Sequence, residues 1–593
     1  MSELSCFAFG AGHGGEGVCL EVNLGPRRIL LDCGLSSMAP LEAARERVER
    51  ADMLLCSHAH SDHARGLLDF HRTFPQVPIY GSEVTAQLLP LNWLDRPAEV
   101  PPHLCQALPW NTPLQLTDDL TLQLWPAGHL PGAACVLLTY TTPQRPYTLF
   151  YTGDFFISNS RLVDGLPLES LRGLRPDVLI IEGSAGSARH PHRRQQENQL
   201  AQTIYDRLRL GQSVLLPVPT LGQGQELVML LRSHHQFTGK DVTVWVDATV
   251  AEGCDRYLEL LPYLPSSVQN FARHQPLFWD ERVRPRIRRL GDGEMPDPAT
   301  PAIVLGYRED DLSRYCRESH HPWTVLLPEA FASHLATTVL AAPESEAGST
   351  FAWLQTLAPD LDTGRVQIET YLLTTHSDAV GTTQLIHNLR PQHVAFVHGP
   401  PSHLADLAGL EELQTRYQLH LPSVGKRVEF PIGDRFLQPA APDPLFEGEI
   451  TAVDDSVLLL CSGLPRSQSV PLGEITAVDD SVLLLLPDSL TTDPRWRTLA
   501  DTGLVQARWQ GDELVIKGLT QRDLLRQVEP EDRPEQPDSC QRCRHFHSGR
   551  CLSAASPLYR MQVSPDGHCI AFAPRSDANR PITPDDTDDE ALA

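Results

Sequence analysis

The sequence predicts an α/β protein made of several domains. From the amino terminus to about residue 180, short apolar runs alternate with breaks that contain glycine, aspartate or histidine, and such runs predict buried strands. Helical patterns lie between some of them, for example at Leu41–Glu49 and Gly66–Phe74. A chain of 593 residues is too long for one hydrophobic core, so we expect two or three domains with linkers. The clearest strand runs are Ile29–Leu31, Met53–Leu55, Leu122–Leu124, Thr148–Tyr151 and Val178–Ile181.

A second α/β unit and then a β-rich region follow the first. Between about residues 190 and 350, a helix pattern at Gln195–Leu208 precedes a strand run at Ser213–Val218. The strand-and-loop pattern resumes at Thr370–Thr374 and continues to about residue 435. Beyond a linker rich in proline and alanine, the 13-residue sequence GEITAVDDSVLLL occurs at Gly448–Leu460 and again at Gly473–Leu485. Each copy predicts a β-hairpin that turns at the Asp-Asp pair.

Charge and cysteine usage narrow the class of protein. The net charge of −26 argues against a protein that coats nucleic acid nonspecifically, because like charges repel over about a Debye length. The arginine-rich stretches Arg189–Arg194 and Arg282–Arg289 are each either part of a local basic groove or a solvated face. No apolar run reaches about 18 residues, and the amino terminus lacks a secretory signal. We therefore expect no membrane segment and a cytoplasmic location, where scattered single cysteines pack as small apolar residues.

The segment Ser57–His63, with the sequence SHAHSDH, is the strongest indication of chemistry. It lies between a predicted strand and a predicted helix, so its polar side chains belong to a loop at a strand end. His58 and His60 are two residues apart and face the same side of an extended stretch, whereas Asp62 and His63 can face a second centre. Imidazole nitrogens and carboxylate oxygens together suit zinc, with iron or manganese as alternatives.

Three further polar residues follow predicted strands directly: His129, Asp154 and Asp32. A lone histidine or a Gly-Asp pair is a weak signal, because both are common in turns. Their position at strand ends, where functional side chains collect, places them with the histidine-rich loop.

In this combination the chain resembles the metallo-β-lactamase superfamily, whose signature is HxHxDH followed by a later histidine and a later aspartate. The resemblance implies that His58, His60 and His129 hold a first metal ion. Redox members of the superfamily carry glutamate where this chain has His60, so the resemblance implies hydrolysis rather than electron transfer.

The resemblance also implies a second metal ion next to the first. Asp62 and His63 would bind it, Asp154 would bridge the two ions, and Asp32 would orient the histidine-rich loop from behind the ligands. The implied cofactors are two zinc ions, with manganese or iron as alternatives.

Later segments resemble the β-CASP branch of nucleases, and the likeness spans about residues 4 to 435. The segment VLIIEGSAG resembles the LIIESTYG strand end and supplies Glu182. LLTTHSD resembles SFSAHTD and contains His376, and PQHVAFVHG resembles PxHVILVHG and contains His398. LLPVPTLGQGQELVMLL is similar to the LIPVFALGRAQELL segment of the inserted domain. In that branch the last histidine completes the second metal site, and His376, hydrogen-bonded to Glu182, protonates the leaving oxygen.

This likeness predicts the architecture and its boundaries. We expect a four-layer αββα metallo-β-lactamase domain with an inserted α/β β-CASP domain, then a small β-rich module and a Cys-rich module. The predicted ranges are 1–188 and 361–436 for the two parts of the metallo-β-lactamase domain, 189–360 for the insertion, 437–447 for a linker, 448–530 for the β-rich module with the repeat, 538–574 for the four-Cys module and 575–593 for a disordered acidic tail.

The predicted function is metal-dependent hydrolysis of phosphodiester bonds, with RNA as the substrate in processing or decay. Two metal ions lower the pKa of a shared water, so that hydroxide attacks at neutral pH, and a histidine held by a carboxylate protonates the leaving oxygen. His398 stands where DNA-directed relatives carry an apolar residue, which favours RNA. A DNA nuclease, another ester hydrolase of the same fold, and a non-catalytic scaffold subunit are the alternatives. Departures from the family motifs at Ala185, Gln223 and Pro400 leave endo- against exonuclease action open, and the oligomeric state is open too.

Four cysteines near the carboxyl end form a compact set in a polar segment. Cys540, Cys543, Cys551 and Cys569 include a CxxC pair, which suits a structural zinc ion or a [4Fe–4S] cluster. Free thiols or disulfides are the alternative, and His545 or His547 could replace one thiol.

Overall fold

The computed structural model divides the chain into two units, Met1–Asp443 and Pro444–Ala593. Described in the first are residues 4–291, 293–317, 321–331 and 352–432; in the second, the strands at 448–453, 456–461, 475–478, 481–485, 504–510 and 513–519 and residues 543–547, 550–553, 556 and 573. The predicted linker and acidic tail, and Cys540 and Cys569 of the predicted four-Cys module, lie outside these residues.

Strands dominate the first unit. They are β1 Leu4–Ala11, β2 Val18–Leu24, β3 Arg27–Leu31, β4 Met53–Leu55, β5 Ile79–Ser82, β6 Gln106–Leu108, β7 Leu114–Thr117, β8 Leu120–Pro126, β9 Ala134–Thr141, β10 Pro146–Tyr151, β11 Val178–Glu182, β12 Ser213–Val218, β13 Thr243–Val246, β14 Arg286–Arg289, β15 Ile303–Tyr307, β16 Trp323–Pro328, β17 Val366–Tyr371, β18 His393–Val397, β19 Gln418–His420 and β20 Arg427–Phe430.

Helices connect these strands. They are α1 Ala39–Glu42, α2 Arg45–Val48, α3 Ser61–Ala64, α4 Leu67–Thr73, α5 Glu83–Leu88, α6 Leu168–Leu171, α7 Arg193–Arg209, α8 Gln223–Ser233, α9 Ala248–Glu259, α10 Ser266–His274, α11 Ser313–Arg317, α12 Ala358–Asp362, α13 Ala379–Leu389, α14 Pro401–Ala408 and α15 Glu411–Gln414, with short 3-10 helices at Leu89–Trp93, Pro97–Glu99, Leu261–Tyr263, Glu329–Phe331 and Ala352–Leu357. None of the helices in the described ranges is long and apolar enough to cross a bilayer.

Two seven-stranded sheets pack face to face. Their strand orders are β20-β1-β2-β3-β4-β5-β6 and β19-β18-β11-β10-β9-β8-β7. Successive strand residues point to opposite faces, so Ile29 and Leu31 join the apolar core shared by the two sheets, whereas Leu30 joins the core on the outer, helical face. Strands β3 to β6 run parallel, as do β10, β11, β18 and β19. Their carboxyl ends therefore share an edge of each sheet, where loops carry functional groups.

A six-stranded, wholly parallel sheet forms the insertion, in the order β14-β13-β15-β12-β16-β17. Its last strand, β17, lies past residue 360, the predicted end of the insertion. This strand also ends at Tyr371, whereas the sequence pattern predicts a strand at Thr370–Thr374. Residues 372–378 instead form the loop that carries His376 into the site described below.

The second unit contains a six-stranded antiparallel sheet. Its strands are β21 Gly448–Val453, β22 Ser456–Cys461, β23 Ile475–Val478, β24 Ser481–Leu485, β25 Leu504–Gln510 and β26 Glu513–Leu519, with a two-stranded pair of β27 Phe546–His547 and β28 Arg550–Cys551 beside it in the chain. Each copy of the 13-residue repeat forms an antiparallel strand pair, which confirms the predicted pairing.

The α/β class predicted for the chain is also confirmed.

Candidate active site

Six strand-end loops of the first unit supply a dense group of imidazoles and carboxylates. The loops follow β4, β8, β10, β11, β17 and β18, and they come from both large sheets and from the inserted sheet. The residues that they bring together are His58, His60, Asp62, His63, His129, Asp154, Glu182, His376 and His398.

The first cluster consists of His58, His60, His129 and Asp154, whose ligand atoms all lie within 4.8 Å of one another. His60 Nδ1 is 2.9 Å from His129 Nε2. Asp154 Oδ2 faces this cluster, at 3.5 Å from His58 Nε2 and 3.7 Å from His129 Nε2. Three imidazole nitrogens and one carboxylate oxygen surround a common point.

The second cluster consists of Asp62, His63 and His398, and it shares Asp154 with the first. His398 Nε2 is 3.2 Å from Asp62 Oδ2, and its Nδ1 is 3.1 Å from Asp154 Oδ1. His63 Nε2 lies 3.3 Å from that same Asp154 oxygen. The two oxygens of one buried carboxylate therefore face different clusters, which is the arrangement of a bridging ligand.

Unpaired buried atoms show that these residues fit metal ions. Among the described residues, the buried atoms without a hydrogen-bond partner include His58 Nε2, His60 Nε2, His63 Nε2 and Asp154 Oδ1. A buried polar atom without a partner costs free energy, so His58 Nε2, His63 Nε2 and Asp154 Oδ1, which face the clusters, suit metal ligands, whereas His60 faces its cluster through Nδ1. The set of nitrogen and oxygen atoms suits zinc.

In His58 and His129 the other ring nitrogen contacts a protein group, which fixes the orientation of the imidazole. Ser57 Oγ lies 3.0 Å from His58 Nδ1, and the Thr375 carbonyl accepts from His129 Nδ1 at 2.9 Å. Such contacts leave the opposite nitrogen free to bind a metal ion.

The protonation preferences differ between the clusters. Burial lowers the pKa of His60 to about 4, and burial with neighbouring imidazoles lowers the pKa of His129 to about 3, so both are neutral, as metal ligands must be. Burial also acts to lower the pKa of His63, but the charges of Asp154 and Asp32 outweigh it and raise that pKa to about 10. The second cluster thus attracts positive charge, which a metal ion supplies in place of protons.

Asp32 secures the histidine-rich loop. Its buried carboxylate accepts hydrogen bonds from Ser57 N at 2.6 Å, Ser57 Oγ at 2.8 Å and Tyr151 Oη at 2.6 Å, and it lies 2.8 Å from His63 Nδ1. Its backbone φ of 59° is a left-handed conformation, which aspartate tolerates better than most residues. The sequence indicated Asp32 but gave no signal for Ser57 or Tyr151.

His376 and Glu182 form a pair beside both clusters. His376 Nδ1 is 3.0 Å from Glu182 Oε1, which also accepts from Phe155 N at 3.1 Å. Burial acts to raise the pKa of Glu182, but the charge and hydrogen bond of His376 dominate and lower that pKa to about 2, so Glu182 is ionised. Ser184 Oγ donates to Glu182 Oε2 and lies 2.9 Å from His398 Nδ1, and its position two residues beyond β11 was the only sequence signal for it.

The glycine-rich turn after β1 lies against the second cluster. A Cβ on Gly12 would come within 2.9 Å of His398 Cδ2, and the backbones of His398 and Gly399 donate to Ala11 and Gly12. The turn belongs to an antiparallel hairpin. Only glycine fits this close approach at a φ of 69°.

The two arginine-rich stretches differ in the contacts that their side chains make. In the second, Arg286, Arg288 and Arg289 form ion pairs with Asp241, Glu281 and Asp255 on the insertion. In the first, Arg193 is buried and contacts the backbone of the His376 loop. In the second unit, Cys543 and Cys551 are buried and not joined in a disulfide.

Two family models match the chain. One is described as a Beta-lactamase superfamily domain and matches residues 27–216. The other is described as a Zn-dependent metallo-hydrolase RNA specificity domain and matches residues 365–421. Together these ranges contain every residue of the two clusters and of the His376–Glu182 pair.

The chain also resembles proteins from bacteria and archaea. It is 47% identical over 576 residues to the uncharacterized protein sll0514 of Synechocystis, a match that covers 96% of this chain and 97% of that protein. It is 29% identical to a Probable RNase of Methanocaldococcus jannaschii, over 40% of this chain and 57% of that protein. It is 29% identical to the Transcription termination factor FttA of Methanothermobacter thermautotrophicus, over 48% of this chain and 49% of that protein. The chain spans about half the length of the last two relatives.

Fold and site together define a metal-dependent hydrolase: two packed sheets whose strand-end loops converge on buried imidazoles and carboxylates. The two family models and the relative named as an RNase indicate the same class of protein. The chain belongs to the metallo-β-lactamase superfamily, in its β-CASP branch of RNA-processing nucleases.

Proposed function

We propose that this protein is a ribonuclease that hydrolyses phosphodiester bonds in RNA processing or decay. The observation that carries the proposal is the placement of Asp154, whose two oxygens face two separate clusters of ligand atoms. Such a carboxylate suits a pair of metal ions, most simply zinc. The first would be held by His58, His60 and His129, and the second by the second cluster.

Two bound ions would supply an acidified water as nucleophile and neutralise charge on the phosphoryl oxygens. The protein's own groups perform the remaining tasks. Asp32 holds the loop that carries four of the ligands, so that their geometry is set before substrate arrives.

The leaving oxygen needs a proton, and His376 is the group placed to give it. Its Nδ1 is bound to the ionised Glu182, which leaves Nε2 as the ring nitrogen that can face the substrate. The carboxylate orients the ring and stabilises its protonated form. Its ring centroid lies 4.6 Å from that of His129 and 5.9 Å from that of His398, so the donor adjoins both clusters.

RNA is favoured as the substrate by two observations. The family model that covers His376 and His398 is described as an RNA specificity domain, and a relative is named a Probable RNase. The nine residues of the site are all present, which favours an enzyme over a scaffold that has lost its ligands.

A nuclease assay on labelled RNA and DNA of equal sequence tests the proposal. We expect RNA cleavage that stops when a chelator removes the metal ions and resumes when zinc or manganese is returned. His60→Ala should lower both metal content and activity, and His376→Ala should lower activity by about 100-fold while the metal content stays unchanged.

His71→Ala, on α4 and outside both clusters, is the matched control and should behave as wild type. Equal cleavage of DNA would instead indicate a nuclease without sugar specificity. Metal binding without turnover on either nucleic acid would contradict the proposal and favour a scaffold.

A further inference from the structure

The His376 loop is held by the inserted domain. The loop runs from the end of β17 to the start of α13, and its residue Thr374 is bound on both sides of its backbone by α7. Arg193 Nη1 donates to the Thr374 carbonyl, and Gln196 Oε1 accepts from Thr374 N at 3.2 Å. The sequence separation between Arg193 and Thr374 is 181 residues, so the contact is purely tertiary.

Arg193 is itself fixed by buried carboxylates. Only 7% of the residue is exposed, and its Nη2 donates to Glu226 Oε2 at 3.2 Å. Its Nε lies 3.4 Å from Glu197 Oε1 on the same helix. A planar guanidinium can make these contacts and the Thr374 contact at once, whereas a lysine ammonium cannot reach in all these directions.

Glu226 in turn ties the insertion to the metallo-β-lactamase domain. It is 4% exposed and accepts three hydrogen bonds from the loop after β10. These come from Ser160 Oγ at 2.8 Å, Leu162 N at 2.9 Å and Arg161 N at 3.0 Å. The Arg193 guanidinium therefore spans the junction where the insertion, the metallo-β-lactamase domain and the His376 loop meet.

Thr374 passes this constraint to the site. Its Oγ1 accepts from His376 N at 3.0 Å and lies 3.2 Å from His376 O, so the backbone of His376 is fixed at both ends. The next carbonyl, of Thr375, orients His129. Any shift of Thr374 would move the imidazole that faces Glu182.

We propose that Arg193 is a positioning residue that sets the place of His376 through Thr374. The inference rests on the proposed function, because it assigns Arg193 to the proton-transfer part of that reaction. A misplacement of a reacting group by about 1 Å can cost about 100-fold in rate. The loss appears only where the leaving oxygen needs a proton.

The test compares two substrates that differ in one atom. One is an RNA oligonucleotide, and the other carries sulfur in place of the leaving oxygen at the linkage that the wild-type protein cleaves, which is the bridging 3′ oxygen when the products carry a 5′-phosphate. A thiolate leaves without protonation, so cleavage of the sulfur substrate does not need His376. We expect Arg193→Lys to lower kcat on RNA by about 10- to 100-fold, with kcat on the sulfur substrate within about twofold of wild type.

A second variant and two controls secure the result. Thr374→Val keeps the shape of the side chain, removes the Oγ1 contacts and should show the same selective loss. Arg232→Lys, at a site 4% exposed on α8 and bonded to Phe278 O at 3.3 Å, should leave both rates unchanged. Metal content should equal that of wild type in all three. Arg193→Lys combined with His376→Ala should be no slower on RNA than His376→Ala alone.

Equal losses on both substrates in Arg193→Lys and Thr374→Val, or loss of metal from them, would overturn the inference. So would a selective loss in His376→Ala that neither of these variants reproduces. The proton-donor role of His376 fails separately if His376→Ala slows both substrates equally, whereas the ribonuclease itself fails only if the wild-type protein does not cleave RNA.

Discussion

The buried carboxylate of Asp32 has four hydrogen-bond contacts, and one of them is to the ring of His63, a proposed metal ligand. Asp32→Asn keeps the left-handed backbone, which asparagine also tolerates, but its amide nitrogen cannot accept from His63 Nδ1. We expect metal affinity to fall about 10- to 100-fold, as for other groups that orient metal-bound histidines. Competition with chelators of graded strength measures this change. Asp119→Asn, in a surface ion pair with Arg27, is the control; wild-type affinity in Asp32→Asn would contradict the role.

Glu21 is a buried carboxylate that belongs to neither cluster. Its substitution should therefore lower the stability of the protein and leave metal binding unchanged. It is 0% exposed on β2 and is surrounded by three arginines. These are Arg47 at 2.9 Å, Arg28 at 3.6 Å and Arg427 at 3.6 Å. Removing the charge leaves the arginines uncompensated, and since these are partly solvated, we expect Glu21→Gln to cost about 2 kcal/mol.

Urea unfolding measures that loss of stability. Glu49→Gln removes an exposed partner of Arg45 and should change the free energy of unfolding by less than about 0.5 kcal/mol. Equal stability of Glu21→Gln and wild type would show that solvent already compensates these charges.

At the residue scale, the sequence indicated the groups that form the clusters and the carboxylates Asp32 and Glu182 beside them, but not the hydroxyl groups that contact them. Histidines and aspartates at strand ends are visible because strand runs have a period and an end. Tyr151 contacts Asp32 across 119 residues, and Ser184 contacts His398 across 214. A tyrosine in an apolar run or a serine in a turn has many ordinary roles, so only the folded chain distinguishes these two.

Among the elements, the loop after β3 and the helix α3 meet so closely that only glycine fits between them. A Cβ built on Gly34 would lie 1.6 Å from the Asp62 carbonyl oxygen, so an added methyl group must push the two apart. Gly34→Ala should therefore displace Asp62 and His63 and lower the metal content by about one ion per chain. Elemental analysis after dialysis measures this.

The control for that change is Gly15→Ala, in the turn after β1, where an added Cβ meets nothing within 4 Å. It should keep wild-type metal content. Full metal content in Gly34→Ala would show that the loop adapts without losing its ligands.

Element boundaries were less predictable than element types. The sequence predicts a helix at Gln195–Leu208, and the structure has Arg193–Arg209, with its start just after Pro191. The two extra residues at the start are Arg193 and Arg194, and Arg193 is buried although an arginine in such a stretch is compatible with a solvated face. Propensity cannot show such burial, because the partners of Arg193 come from α8 and from the His376 loop.

For the molecule as a whole, the two-unit division predicts where metal-dependent activity resides. Both clusters and the His376–Glu182 pair lie within Met1–Asp443. A chain that ends at Asp443 should therefore fold, hold about two metal ions and cleave the same substrate at a rate within about threefold of the full chain. If the predicted four-Cys site binds a zinc ion or a [4Fe–4S] cluster, the full chain should contain about one zinc ion or four iron atoms more than the shortened chain. Elemental analysis of both chains, with the nuclease assay beside it, measures the two quantities separately.

Loss of activity in the shortened chain would show that the second unit contributes to substrate binding or to folding of the first. Equal metal content would show that the cysteines near the carboxyl end hold no ion.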